Sequence, residues 1–233
     1  MTKLTWLGHS TWLLETDGHR VIVDPFLSDN PSATVEADEF SDCSHVLITH
    51  GHFDHIADAT KIASASGATV IAIYEIAQWF SDKQKIENTI GMNIGGEAVL
   101  PFGTVKMVPA LHSNSLPDGS PAGLAAGFIV TLPELRIYFA GDTAFFGDMT
   151  YYAKNVDIAL IPIGDLFTMG LKDSIQTIQS ISPKKVLPTH YNTWPPIEVD
   201  VQAWSDQVKA ETTADPLVPA VNEAIELTAS GNA

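Results

Sequence analysis

The chain has 233 residues, 45% of them hydrophobic, which suits one globular domain over residues 1–233 with a substantial core. Twelve Lys and Arg against 28 Asp and Glu give a formal charge of −16, a field that opposes nucleic acid and anionic lipid surfaces as partners. The single Cys43 excludes an internal disulfide and a Cys-rich zinc motif, and no run approaches the roughly 20 apolar residues of a membrane span.

In chain order, strand-like runs cover residues 4–7, 11–15 and 21–23, with Asp17-Gly18 as a hairpin turn between the last two. The N-terminus enters the first of these without the basic and apolar regions of a leader, so a cytoplasmic location is expected. A polar loop over 28–42 precedes a strand over 45–49. Ile56, Ile62 and Ala63 then recur at helical spacing, so Asp54 and His55 open a helix. Strand 69–73, helical material through residue 90 and the turn string 91–96 follow. The second half repeats the style, with strands near 105–109, 127–131, 137–140 and 158–162. A helix over 174–181, a strand over 185–187 and a helix within 198–210 complete it. Clustered strands with helices between them read as mixed α+β rather than strict βαβ alternation.

The densest chemistry lies in Thr49-His50-Gly51-His52-Phe53-Asp54-His55, directly after the apolar run Val46-Leu47-Ile48. Three imidazoles and a carboxylate so close repel one another once protonated, unless a cation holds them. Three further residues share the setting, each following an apolar run and preceding a polar loop: His112, Asp142 and His190. Rigid strands that deliver His or Asp at several exits build what a metal site needs.

In this pattern the chain resembles the metallo-β-lactamase superfamily, whose mark is a His-x-His-x-Asp-His loop followed by a distant His, Asp and His. The resemblance runs from Leu7-Gly8-His9-Ser10 to His190-Tyr191-Asn192. More narrowly, the chain looks like small bacterial metal-dependent hydrolases grouped with ascorbate-6-phosphate lactonase. It does so through Asp24-Pro25-Phe26, Met92-Asn93-Ile94-Gly95-Gly96 and Ala140-Gly141-Asp142-Thr143. The resemblance implies an αββα sandwich, two sheets face to face with helices outside. It also implies that His50, His52 and His112 bind one metal, Asp54, His55 and His190 a second, with Asp142 bridging. Imidazoles with few carboxylates suit two divalent ions, Zn²⁺ first, with Mn²⁺, Ni²⁺ or Fe as alternatives. Such a pair lowers the pKa of bound water towards roughly 7.

Around this set, His9 is a candidate to contact substrate or donate a proton, and equally a histidine satisfied by backbone. Asp24 is expected to support a ligand imidazole from behind, as carboxylates commonly do. Asp165 is equally a pocket residue and an ordinary loop residue. Tyr191, Asn192 and Trp194 are candidates for the pocket wall, and the loop 113–123 for a gate. His19 is expected in a solvated turn and His45 in a structural role.

The leading expectation is a hydrolase that uses hydroxide on a dinuclear centre to cleave a small ester, lactone or phosphodiester, with Asp54 and His9 as catalytic candidates. No Gly-x-Ser-x-Gly elbow competes for the nucleophile role. The alternatives are a diiron redox enzyme on the same fold and a non-catalytic metal-dependent binding protein. A small molecule is the expected partner, and homo-oligomerisation is left open.

Overall fold

A computed structural model describes residues 2–227. Two seven-stranded mixed sheets stack face to face with helices outside, the αββα sandwich of the metallo-β-lactamase fold. The first sheet holds β1 (Thr2–Trp6), β2 (Trp12–Thr16), β3 (His19–Val23), β4 (His45–Leu47), β5 (Thr69–Ile73) and β6 (Thr89–Met92) in that order. The late strand β14 (Ala224–Leu227) pairs outside β1. The second sheet runs β7 (Glu97–Leu100), β8 (Gly103–Pro109), β9 (Ala126–Thr131), β10 (Arg136–Phe139), β11 (Ile158–Pro162), β12 (Lys185–Thr189) and β13 (Asp215–Pro216).

The central strands are continuous apolar runs because both of their faces are covered. β4 and β11 are buried along their whole length. Their pairing directions decide where the site lies. β1 and β3 are each antiparallel to β2, and β3 to β6 are parallel, so β1 and β3 to β6 all end at one edge of the first sheet. β8 and β10 are each antiparallel to β9, and β10 to β12 are parallel, so their ends collect likewise on the second sheet.

Short α1 (Phe53–Ile56) leads into α2 (Ala59–Ser66); α2 packs on β4 and β5, and α3 (Tyr74–Asp82) on β5 and β6. On the other side α5 (Leu171–Ile181) lies between α4 (Met149–Ala153) and α6 (Val201–Glu211), and α6 packs on β13. Ile175, Ile178 and Ile181 form the buried stripe of α5. Trp204 of α6 is fully buried and its indole N–H donates to Ser174 Oγ.

The expected helix through residue 90 is a correction. α3 ends at Asp82, and Thr89 to Met92 form β6, because the parallel edge of β5 gives their amides partners that a lone helix end would not. The turn therefore shrinks to residues 93–96. His19 is likewise not in a solvated turn: it opens β3, half-buried, its ring 5.9 Å from Phe102 and 6.1 Å from His45. Among the described residues no helix is long and apolar enough to cross a membrane.

Candidate metal centre

Eight residues with ligand chemistry converge between the two converging edges. Asp24 follows β3, and His50 to His55 follow β4. His112 follows β8, Asp142 follows β10, and His190 follows β12 directly. The ligand atoms of His50, His52 and His112 lie within 4.8 Å of one another, as do those of His9, Asp54, His55 and His190; those of His50, His55 and Asp142 form a third such group. Asp142 Oδ2 is 3.0 Å from His190 Nε2, 3.4 Å from His55 Nε2, 3.6 Å from His112 Nε2 and 3.9 Å from His50 Nε2. Asp54 Oδ2 is 3.1 Å from His9 Nε2, 3.7 Å from His190 Nε2 and 3.8 Å from His55 Nε2.

Asp24 sets the protons of this cluster. Its carboxylate accepts from the Thr49 amide at 2.8 Å, from Thr49 Oγ1 at 2.6 Å and from His55 Nδ1 at 2.8 Å. The Thr49 hydroxyl thereby uses its one hydrogen in the bond to Asp24. It can only accept from His50 Nδ1, 3.0 Å away. Both rings therefore carry a proton on Nδ1 and turn Nε2 inward. Inside, His50 Nε2 faces His52 Nδ1 at 3.0 Å. His55 Nε2 and Asp142 Oδ1 are buried and form no hydrogen bond. Lone pairs crowded against carboxylates and left without partners are costly by themselves. A divalent cation between them removes that cost, and a set rich in imidazole fits Zn²⁺ and its first-row neighbours.

The electrostatics of the inner groups point the same way, whereas at Asp24 burial raises the carboxyl pKa against the opposing pull of His55 and Thr49. Burial raises the pKa of Asp142, but His190 and His55 outweigh it and hold the carboxyl well below the ordinary range. Asp54 is likewise driven low, burial being outweighed by His55 and by hydrogen bonds from His190 and His9. Burial opposes protonation of His55, yet Asp142, Asp24 and Asp54 together push its pKa well above the ordinary value. Burial also opposes protonation of His190, which Asp142 nevertheless lifts to about 9. The ionised carboxylates thus demand positive charge at this point, from imidazolium or from a metal.

Burial, aided by His190, lowers the pKa of His9 to about 4, so its ring is neutral. Because Asp54 is ionised, His9 Nε2 carries the proton and donates to it, while Nδ1 accepts from Thr193 Oγ1 at 2.8 Å. His9 is fully buried and lies outside the lining of the cavity. Its carbonyl is a junction: Trp6 Nε1 at 2.9 Å, Thr189 Oγ1 at 3.0 Å and the His190 amide at 3.1 Å all donate to it. His9, Asp24 and His190 hold left-handed backbone, φ +53°, +46° and +54°, strain of the kind that collects at functional sites.

A cavity of about 1020 Å³ opens over Asp54, Asp142, His52, His112 and His190. Of the expected wall residues only Trp194 lines it. Tyr191 is buried behind, stacked on Trp6 at 5.1 Å, and Asn192 accepts from the Val199 amide. The loop 113–123 does reach the cavity, through Ser113, Ser115, Leu116, Pro117 and Gly119. Asn114 ties it down, accepting from the Gly51 amide and donating to Ala122 O, both at 2.8 Å. A Cβ on Gly51 would stand 3.0 Å from Ser115 O, so only glycine permits this approach. Asp165 sits apart from the cluster: its carboxylate accepts from the Leu166 amide and shapes the loop that brings Leu166 and Phe167 to the cavity. The sequence reading missed Thr49, Thr193, Leu166 and Phe167. A hydroxyl immediately before a ligand histidine was the available signal for Thr49.

Residues 19–191 match the family model described as the β-lactamase superfamily domain. The chain belongs to this superfamily. It is 44% identical over 211 residues to a metal-dependent hydrolase of Exiguobacterium, covering 88% of this chain and 93% of that protein. A metal-dependent hydrolase of Pyrococcus horikoshii is 42% identical over 217 residues, covering 91% and 95%. Among solved structures, a metallo hydrolase of the archaeon Ignicoccus hospitalis is 33% identical with a TM-score of 0.86, covering 97% of this chain and 99% of that one.

Proposed function

We propose that this superfamily member is a metal-dependent hydrolase with a dinuclear centre, cleaving a small ester, lactone or phosphodiester. The observation that carries this reading is the convergence of inward imidazole nitrogens on two ionised carboxylates at the floor of a large cavity. His50, His52 and His112 hold one ion, Asp54, His55 and His190 the other, and Asp142 stands between them. Bound there, two divalent ions, Zn²⁺ foremost, supply a nucleophile from water at neutral pH and take up the negative charge of the transition state.

The chain's own residues do the rest. Asp24 fixes the ring orientation of His55 directly and of His50 through Thr49. His9 holds Asp54 in place, and the ionised Asp54 orients the attacking water. The names of the Exiguobacterium and Pyrococcus relatives support the hydrolase class.

His50→Ala and Asp54→Ala should each abolish hydrolysis across a metal-reconstituted panel of esters, lactones and phosphodiesters. Circular dichroism should stay native and bound metal should fall. Full activity in either variant overturns the assignment.

A further inference from the structure

The cavity wall away from the ligands has a marked chemistry. Among the described residues no Lys or Arg lines it, and its charged groups are confined to the ligand cluster itself. Its large side chains are Phe53, Leu116, Leu166, Phe167 and Trp194, and its uncharged polar side chains are the two small hydroxyls of Ser113 and Ser115. Phe53, Leu166 and Phe167 expose 56%, 67% and 51% of their surface at its rim. Large apolar side chains gathered at a cavity mouth, rather than scattered singly, mark a binding surface.

The backbone beneath them supports this. Asp165 and Leu166 are both left-handed, φ +59° and +43°, and a leucine in that region is a true outlier. The loop is closed on itself: the amides of Phe167 and Thr168 donate to Asp165 O, and the Asp165 amide to Met169 O. The chain thus accepts backbone strain to hold two apolar side chains out in water beside the metal ligands. The exposure is relieved when an apolar body covers them.

We propose that the part of the substrate remote from the scissile bond is uncharged and apolar, seated between the Leu166-Phe167 loop and the Phe53-Trp194 wall. This rests on the hydrolase reading for the scissile bond alone. A phosphodiester can still meet the metals with its reacting phosphate, but a second charge further along finds no cation on the wall, and its hydration would be lost against carbon. Sugar phosphates and nucleotides are therefore the wrong class. Alkyl and aryl esters, alkyl lactones and simple aryl phosphodiesters are the right one.

The test compares pairs sharing a reacting group in the metal-loaded enzyme. One pair is p-nitrophenyl hexanoate and mono-p-nitrophenyl adipate. Another is phenyl p-nitrophenyl phosphate and 4-carboxyphenyl p-nitrophenyl phosphate, whose carboxylate is a second charge away from the reacting phosphate. The apolar member should lead in kcat/KM by about tenfold in any pair that turns over. Calorimetry with hexanamide and adipamate repeats the comparison without turnover, and hexanamide should bind about tenfold tighter. Phe167→Arg, at an exposed position, should shrink or reverse both preferences. Equal or inverted preferences in the unmodified enzyme overturn the proposal. Turnover of nothing, with hexanamide still preferred, overturns the hydrolase reading and leaves the apolar seat supported.

Discussion

Asp24 contacts no substrate, yet one carboxylate determines how two imidazoles present themselves. Asp24→Asn keeps the volume and tolerates the left-handed backbone, but it removes the charge that His55 Nδ1 and Thr49 Oγ1 donate to. Metal affinity should fall roughly 10–100-fold with the fold retained, read by metal content after dialysis against graded chelator; unchanged affinity would show that the Asp24 charge does not set the ligand rings. His45, remote from the metal ligands, offers a pH readout. Burial, with a contribution from His19, lowers its pKa from 6.5 to about 4. The unfolded chain therefore binds a proton between these values that the folded chain refuses, and stability is lost as pH falls through that window. The urea midpoint of the wild type should drop below that of His45→Gln progressively from about pH 6.5 to pH 4, and a constant difference would refute the assignment. Ligand residues were legible in sequence because a dense run of imidazoles has few other uses. Thr49 and Thr193 were not, since a hydroxyl says nothing about its partner until the ring nitrogens are in place.

At the level of elements, the site is a product of strand direction. Apolar runs ending in His or Asp revealed β4, β8, β10 and β12, and their common polarity follows from the pairing. The short edges were hidden. β7 alternates exposed and half-buried residues, and β6 follows a helix with no turn signal of its own; both exist because a neighbouring strand offers hydrogen bonds, information that is absent locally. Close approaches between strand ends were equally silent. Gly164, after β11, lies against the carbonyl of His190, after β12, and a Cβ there would collide with it. Gly164→Ala should cost about 1–3 kcal/mol of stability as an overpacked contact and should weaken metal retention by moving His190. Thermal denaturation with and without chelator separates the two effects, and native metal content in a destabilised protein would show that His190 had not moved.

For the whole molecule, the two sheets follow one plan. In each, three antiparallel strands lead into a parallel run, and a further strand pairs antiparallel at the outer edge. The sequence hinted at this through the recurring style of its halves, but not at which edges would meet. Because the proposed ligands bind metal only when folded, chelation should lower the melting temperature. At metal concentrations 100-fold above the dissociation constant the loss is about 2.7 kcal/mol for each ion bound, roughly 5–11 °C per ion for a chain of this length; an unchanged melting curve would remove the metal from the fold's energetics. His50, His52, Asp54 and His55 come from the first sheet and His112, Asp142 and His190 from the second, and the His190 amide already grips the carbonyl of His9 across the seam. Metal held there would act as a reversible cross-link between the two halves of the polypeptide, closing a long chain loop much as a disulfide would, in a protein whose one thiol cannot make one. Cut between β7 and β8, the halves should find each other best when metal is present and part when it is withdrawn.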